Sequence, residues 1–179
     1  MKSFEAFKRN SFHATEDSWE IRDEFYRFLS SRLDVRIYIE YCSAIDLSIS
    51  VNQAHLGLYY DLLGNIMRKP ARYSVIFEQN AALEPFLENL AARAVPSKYR
   101  SRGLVRYSIS SKQENSCLAV ADYAMWAFAE WKRENFTTDP QKKQFRTWKS
   151  IQRLVSVARE RQGKTIRRQL PVAPMIHSR

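Results

Sequence analysis

The feature that most limits how this chain can fold is the exchange of two hydrophobic periods along its length. From Val35 to Tyr41, apolar Val35, Ile37, Ile39 and Tyr41 alternate with Arg36, Tyr38 and Glu40, the two-residue period of a strand. On its N-terminal side, Trp19, Arg22, Tyr26, Leu29 and Leu33 recur every three or four residues, which predicts a helix from Trp19 to about Arg32 with Asp17 or Ser18 as its cap. A second helix is predicted from about Asn52 to Arg68, with Leu56, Tyr59, Tyr60, Leu63, Ile66 and Met67 as its inner stripe and Pro70 as its stop. Tyr73 to Phe77 is a short apolar strand ending at Glu78, and a helix from about Ala81 to Ala94 follows it. Leu104 to Ser110 is a third strand, and Asn115 or Ser116 opens a long helix to about Arg133. Asp139-Pro140 is a favourable helix start, and the next helix is predicted to run to about Arg161 with Phe145, Trp148, Ile151, Val155 and Ala158 on one face. Strands that alternate with helices in this way argue for an α/β domain, a sheet covered by helices. Polar groups at the carboxyl ends of such strands are the first place to seek a site.

Composition narrows the class further. At 179 residues and 45% hydrophobic, the chain can fill a core, so disorder throughout is excluded. No apolar run approaches the ~20 residues that a bilayer requires, and the N-terminus lacks the apolar core of a signal peptide. The expectation is a soluble, cytoplasmic protein without a membrane partner. Cys42 and Cys117 lie in no CxxC or Cys/His cluster and are read as buried thiols. Of 29 Lys+Arg and 19 Asp+Glu, 11 and 2 fall in residues 136–179, which leaves 18 and 17 in residues 1–135. The net charge of +10 therefore belongs almost wholly to the C-terminal quarter. This divides the chain into a near-neutral α/β domain, 1–135, and a basic helix and tail, 136–179. Lys142, Lys143, Arg146, Lys149, Arg153, Lys164, Arg167 and Arg168 are the candidates for contact with nucleic acid, against the alternative of a basic face that only aids solubility.

Two carboxylates stand out as carriers of chemistry. Asp122 is the single charged residue between Leu118 and Ala129, with Leu118, Met125, Trp126 and Ala129 one turn to either side. A carboxylate in apolar surroundings needs a cation, a metal ion or hydrogen-bond donors, so Asp122 is either a metal ligand or the partner of a core Arg or of backbone N–H groups. Glu78 ends an apolar strand, where an acid is either functional or a simple way to meet solvent. Together Glu78 and Asp122 could hold Mg²⁺ or Mn²⁺ through hard oxygen ligands. Glu16 and Asp17 are read as helix caps, His13, His55 and His177 as structural or surface histidines, and Trp126 and Trp131 as core rather than base-stacking groups. The chain contains no Gly-rich phosphate loop, nucleophile elbow or HExxH motif, which leaves P-loop hydrolysis, acyl transfer and zinc proteolysis without support.

The segments Phe12-His13-Ala14-Thr15-Glu16-Asp17, Glu20-Ile21-Arg22-Asp23-Glu24, and Asn115 to Tyr123 with Trp126 and Trp131 resemble the bacterial and phage family named domain of unknown function 3800. The resemblance spans roughly residues 10–150. It implies a ribonuclease H-like fold and metal-dependent phosphodiester chemistry, with Asp122 matching the acid of the family's C-terminal helix and Glu78 the acid ending its central strand. Family members begin with a strand ending in Asp-Glu and a second apolar strand, and the first Asp of that pattern has no counterpart here. A sheet without those strands would leave Val35–Tyr41 or Tyr73–Phe77 with an unpaired edge, open to self-association or to a partner chain. The readings carried forward are a metal-dependent nuclease-like protein, a non-catalytic nucleic-acid-binding or protein-interaction module, and a chain that works only within an assembly.

Overall fold

A computed structural model describes residues 12–43, 50–67, 71–94, 105–161 and 165–167. In chain order the elements are α1 (Trp19–Ser31), β1 (Ile37–Tyr41), α2 (Val51–Ile66), β2 (Tyr73–Glu78), α3 (Glu84–Ala94), β3 (Val105–Ser110), α4 (Cys117–Arg133), α5 (Lys143–Ile151), a 3-10 turn (Gln152–Leu154), β4 (Val155–Glu160) and β5 (Thr165–Arg167). The architecture is mixed α/β, as the alternating periods require. Local signals account for several of the boundaries. Ser50 and Gln53 form a reciprocal capping box at the start of α2, the Ser50 hydroxyl accepting from the Gln53 N–H and the Gln53 amide oxygen from the Ser50 N–H. At the end of α4, Asn135 and Phe136 take left-handed backbone angles that turn the chain toward α5. Phe136 offsets that strain by packing edge-on against Trp131 at 4.9 Å.

The strands form two small sheets. β2 and β3 pair in parallel, with Glu78 opposite Ser110 at their carboxyl ends. β1 pairs in parallel with β4, which pairs antiparallel with β5. The predicted helix to Arg161 is thus overturned in its second half. It stops at Ile151, and Val155 to Glu160 is a strand. The apolar series Ile151, Leu154, Val155 and Ala158 has the three-to-four spacing of a helix, so the spacing alone points to the wrong geometry. The choice falls to strand because the buried backbone of β1 needs hydrogen-bond partners and β-branched Val155 and Val157 suit a pleated surface. A register shift between Ile37 and Tyr38 explains why burial along β4 does not alternate strictly. β4 thereby covers one edge of β1. Among the described residues no strand lies on the other side of β1 or on the outer sides of β2 and β3.

The larger hydrophobic cluster joins α1, β1, α4, α5 and β4, and its centre is aromatic. Trp131 stacks on Trp148 with ring centroids 4.6 Å apart, and Phe128 meets Trp148 edge-on at 5.6 Å. Such pairs add roughly 0.5–1.5 kcal/mol each beyond their burial. A second cluster under β2 contains Leu63, Met67, Phe77, Leu83, Leu87 and Leu90. Tyr60, predicted to face inward, is largely exposed, because Leu63 and Met67 form the buried side of α2 together with Ala54. The cysteines also differ from expectation. Cys117 is exposed on the first turn of α4, Cys42 is half-buried just beyond β1, and neither forms a disulfide. Trp131 is core, whereas Trp126 is half-buried beside Trp19, with the Arg22 guanidinium 4.6 Å from its ring centre. Among the described residues no helix is long and apolar enough to cross a membrane.

Candidate functional site

The turn after β3 builds the site. Glu114 accepts hydrogen bonds from the Ser111 N–H and the Ser110 hydroxyl, each at 3.1 Å, and these contacts hold its carboxyl below the usual range. The turn sends Lys112 back across the ends of the parallel strands. Since Glu78 and Ser110 are register partners, a side chain two residues beyond Ser110 can reach Glu78 as well as the first turns of α4.

Lys112 reaches both predicted acids. Its ammonium lies 3.2 Å from Glu78 Oε1 and donates to Asp122 Oδ2 at 3.0 Å. The third neighbour is His13 Nδ1 at 3.1 Å. An ammonium has only donors, so this His13 nitrogen acts as acceptor and its ring proton belongs on Nε2. Asp122 Oδ2 also accepts the Ala14 N–H at 2.9 Å. Burial by itself would lower the Lys112 pKa, but hydrogen bonding and charge from Asp122 and then Glu78 outweigh it and hold the amine above its ordinary value.

Glu78 and Asp122, 44 positions apart in the sequence, are therefore brought together as expected, with a lysine between them. The pattern sets Asp122 in an apolar neighbourhood, yet Met125, one turn on, is exposed and the Asp122 side chain retains 27% of its accessibility. Its partners are a lysine and a backbone N–H rather than a core arginine. Asp17 also departs from the capping role. Its Oδ2 accepts the His13 N–H at 2.9 Å and the Tyr123 hydroxyl, while the side chain of Ser18, the N-cap residue, makes no capping bond. Burial, and then the hydrogen bond to Asp17, push the Tyr123 phenol well above its ordinary value. The lead-in Phe12–Asp17 is in this way strapped across α4 at Asp122 and Tyr123.

Pattern reading missed Lys112 and set His13 aside. The available signal was faint: one lysine between a strand end that faces Glu78 and the helix that carries Asp122.

Fit to a divalent ion can be judged from these donors. Mg²⁺ takes six oxygen ligands, and here one oxygen of each carboxylate is already bound to the ammonium. His13, Asp122 and Glu78 converge on the Lys112 ammonium, and among the described residues no group of three or more His, Cys, Asp or Glu is placed to hold a metal ion itself. With Lys112 in this position the donor set does not fit Mg²⁺ or Mn²⁺.

The basic candidates lie elsewhere. Lys142, Lys143, Arg146 and Lys149 belong to α5 or its cap, and Arg153 to the 3-10 turn. All five are exposed, on the face opposite Thr147, Trp148 and Ile151. Asp139 does not start this helix. It accepts the Gln141 N–H at 2.8 Å in a preceding turn, and the helix begins at Lys143. Lys142 pairs with Glu134 at 3.2 Å, and the Lys143 ammonium sits over the Trp19 ring. Between α1 and α5 runs a groove of about 330 Å³ lined by Asp23, Tyr26, Arg27, Ser30, Lys143, Arg146, Thr147 and Ser150. Lys164 and Arg168 lie outside the described residues. Arg167 is in β5, its backbone paired with Val157. Two further cations of the basic quarter turn toward acids instead, Arg159 to Glu40 at 3.8 Å and Arg161 to Asp61 at 3.5 Å. The chain matches no family model, no curated protein and no solved structure.

Proposed function

We propose that this chain is a nucleic-acid-binding protein of ribonuclease H-like build, related to the domain of unknown function 3800 family and working in the cytoplasm. It grips the phosphate backbone through the solvent face of α5 and the groove between α5 and α1. The observation that carries this reading is the row Lys143, Arg146, Lys149 and Arg153, exposed along one side of α5 and the turn after it, with Arg27 across the groove. The Ser30 and Ser150 hydroxyls donate to the Arg27 and Thr147 carbonyls of their own helices, which leaves the cations to make the contact, and Asp23 is the single acid in the lining. Exposed cations in such a row suit phosphate oxygens and carry no base preference of their own. Two unlinked cysteines are compatible with a reducing compartment.

The test is a salt titration of binding to duplex DNA and to single-stranded RNA by fluorescence anisotropy. On duplex DNA, log affinity should fall linearly with log salt, with a slope of about 0.9 per phosphate neutralised. Replacing Lys143, Arg146, Lys149 and Arg153 by Gln should shallow that slope by about 0.9 for each residue that touches a phosphate. Binding that ignores salt, or that survives the fourfold replacement unchanged, removes the proposal.

The meeting of Glu78 and Asp122 at the carboxyl ends of parallel strands is the observation behind a second reading, a metal-dependent nuclease, which requires Lys112 to leave the two carboxylates. Cleavage of DNA, RNA or hybrid that requires Mg²⁺ or Mn²⁺ and disappears in a folded Asp122→Asn variant would establish it over the first.

A further inference from the structure

The Lys112 ammonium has three N–H bonds and three acceptors: Asp122 Oδ2 at 3.0 Å, Glu78 Oε1 at 3.2 Å and His13 Nδ1 at 3.1 Å. Its hydrogen-bonding capacity is filled by the protein, and its side chain is 7% exposed. We infer that Lys112 is the resident cation of this site, a tethered charge that holds Glu78 and Asp122 together in the place a divalent metal ion would take.

Three features keep the lysine there. The turn that presents it is fixed by the bonds from Ser110 and Ser111 to Glu114. The lead-in covers it from the other side, with His13 on the ammonium and the Ala14 N–H on the carboxylate oxygen that the ammonium also uses. The lead-in is itself tied down, through Asp17, to Tyr123 and to the His13 backbone, and Ala14 is fully buried. A divalent ion entering between the carboxylates would meet a like charge at close range and would compete for oxygens already bonded. Displacing the ammonium would also strip it of all three acceptors, and an unpaired charge on a side chain only 7% exposed is costly. A lysine so filled has no N–H left for a substrate phosphate, so its role is to neutralise and join the acids. The inference concerns the acid pair of the second reading and is independent of the basic face on α5.

Metal alone is the probe, so the outcome does not depend on nucleic-acid binding. Mn²⁺ binding to the full chain is measured by water-proton relaxation for wild type, Asp122→Asn, Lys112→Met and Lys112→Met/Asp122→Asn. The wild type and Asp122→Asn should show the same weak, non-specific uptake. Lys112→Met should gain a site about tenfold or more tighter, since a repelling unit charge is gone and two carboxylate oxygens are freed, and the double variant should lose it. An Asp122-dependent Mn²⁺ site in the wild type overturns the inference, as does a folded Lys112→Met protein that gains none. Should Lys112→Met not fold, proton–nitrogen NMR of the lysine ammonium groups decides. A slowly exchanging Lys112 signal that is absent in Asp122→Asn and unmoved by millimolar Mg²⁺ supports the inference, and a signal that Mg²⁺ shifts or abolishes refutes it.

Discussion

If the basic quarter of the chain were an appendage, residues 1–135 would fold without it. The structure predicts that they do not. Truncation after residue 135 removes Trp148, Ile151, Leu154 and Val155, all nearly or fully buried, from the cluster shared by α1, β1 and α4. Full burial of such side chains is worth roughly 1.5–3 kcal/mol each, so these four contribute about 6–12 kcal/mol. The net stability of a domain is itself only about 5–15 kcal/mol. The loss also leaves β1 without its parallel neighbour and Trp131 without its stacking partner. The assay is urea unfolding of fragment 1–135 followed by tryptophan fluorescence and far-ultraviolet circular dichroism, beside the full chain. The full chain should show one cooperative transition, and the fragment a sloping baseline without one. Replacing the exposed cations Lys143, Arg146, Lys149 and Arg153 by Gln in the full chain should keep the transition, since surface changes cost within about 0.5 kcal/mol each. A fragment that unfolds cooperatively, with native-like near-ultraviolet signals, would refute the placement of α5 and β4 in the core.

Two smaller perturbations probe the same packing and the site. Trp148→Ala should destabilise the full chain by about 3–5 kcal/mol in urea unfolding, because the site is fully enclosed and cannot collapse easily; a loss under about 1 kcal/mol would contradict the stacked core. Alkaline pH should also weaken the fold. The Lys112 pKa is raised on folding, so its contribution is fully present below the unfolded value of about 10.4 and is lost as pH rises through the higher folded value. Tyr26 and Tyr123, raised by burial first, act in the same direction from about pH 10. Urea midpoints measured from pH 8 upward should therefore fall above about pH 10, and Lys112→Met should start lower and lose less. Equal losses in the two proteins would show that Lys112 does not contribute.

Much of the architecture was legible because its signals are local. The boundaries of α1, β2, β3 and α4 fall within about two residues of where hydrophobic period, prolines and polar starts place them. Glu78 and Asp122 were legible for the same reason, one as the acid ending an apolar strand and the other as the lone charge in an apolar helix. Asp17 was not. A carboxylate beside a helix start reads as a cap, whereas its partners are the Tyr123 hydroxyl, distant in sequence, and the His13 N–H within the lead-in turn. Lys112 was invisible because a lysine in a polar turn reads as solvated until the register of β2 against β3 brings its ammonium between two acids.

What the sequence determined by itself is the α/β alternation, the position of the charge and the candidacy of the two acids that meet at Lys112. What only the tertiary structure decided is that Val155–Glu160 is a strand of the sheet and that a lysine stands between Glu78 and Asp122. The physical reason is common to both. Apolar period and residue type report which surfaces a segment must bury, but the partner that satisfies a strand's backbone or a buried charge comes from distant parts of the chain, and only folding brings it there.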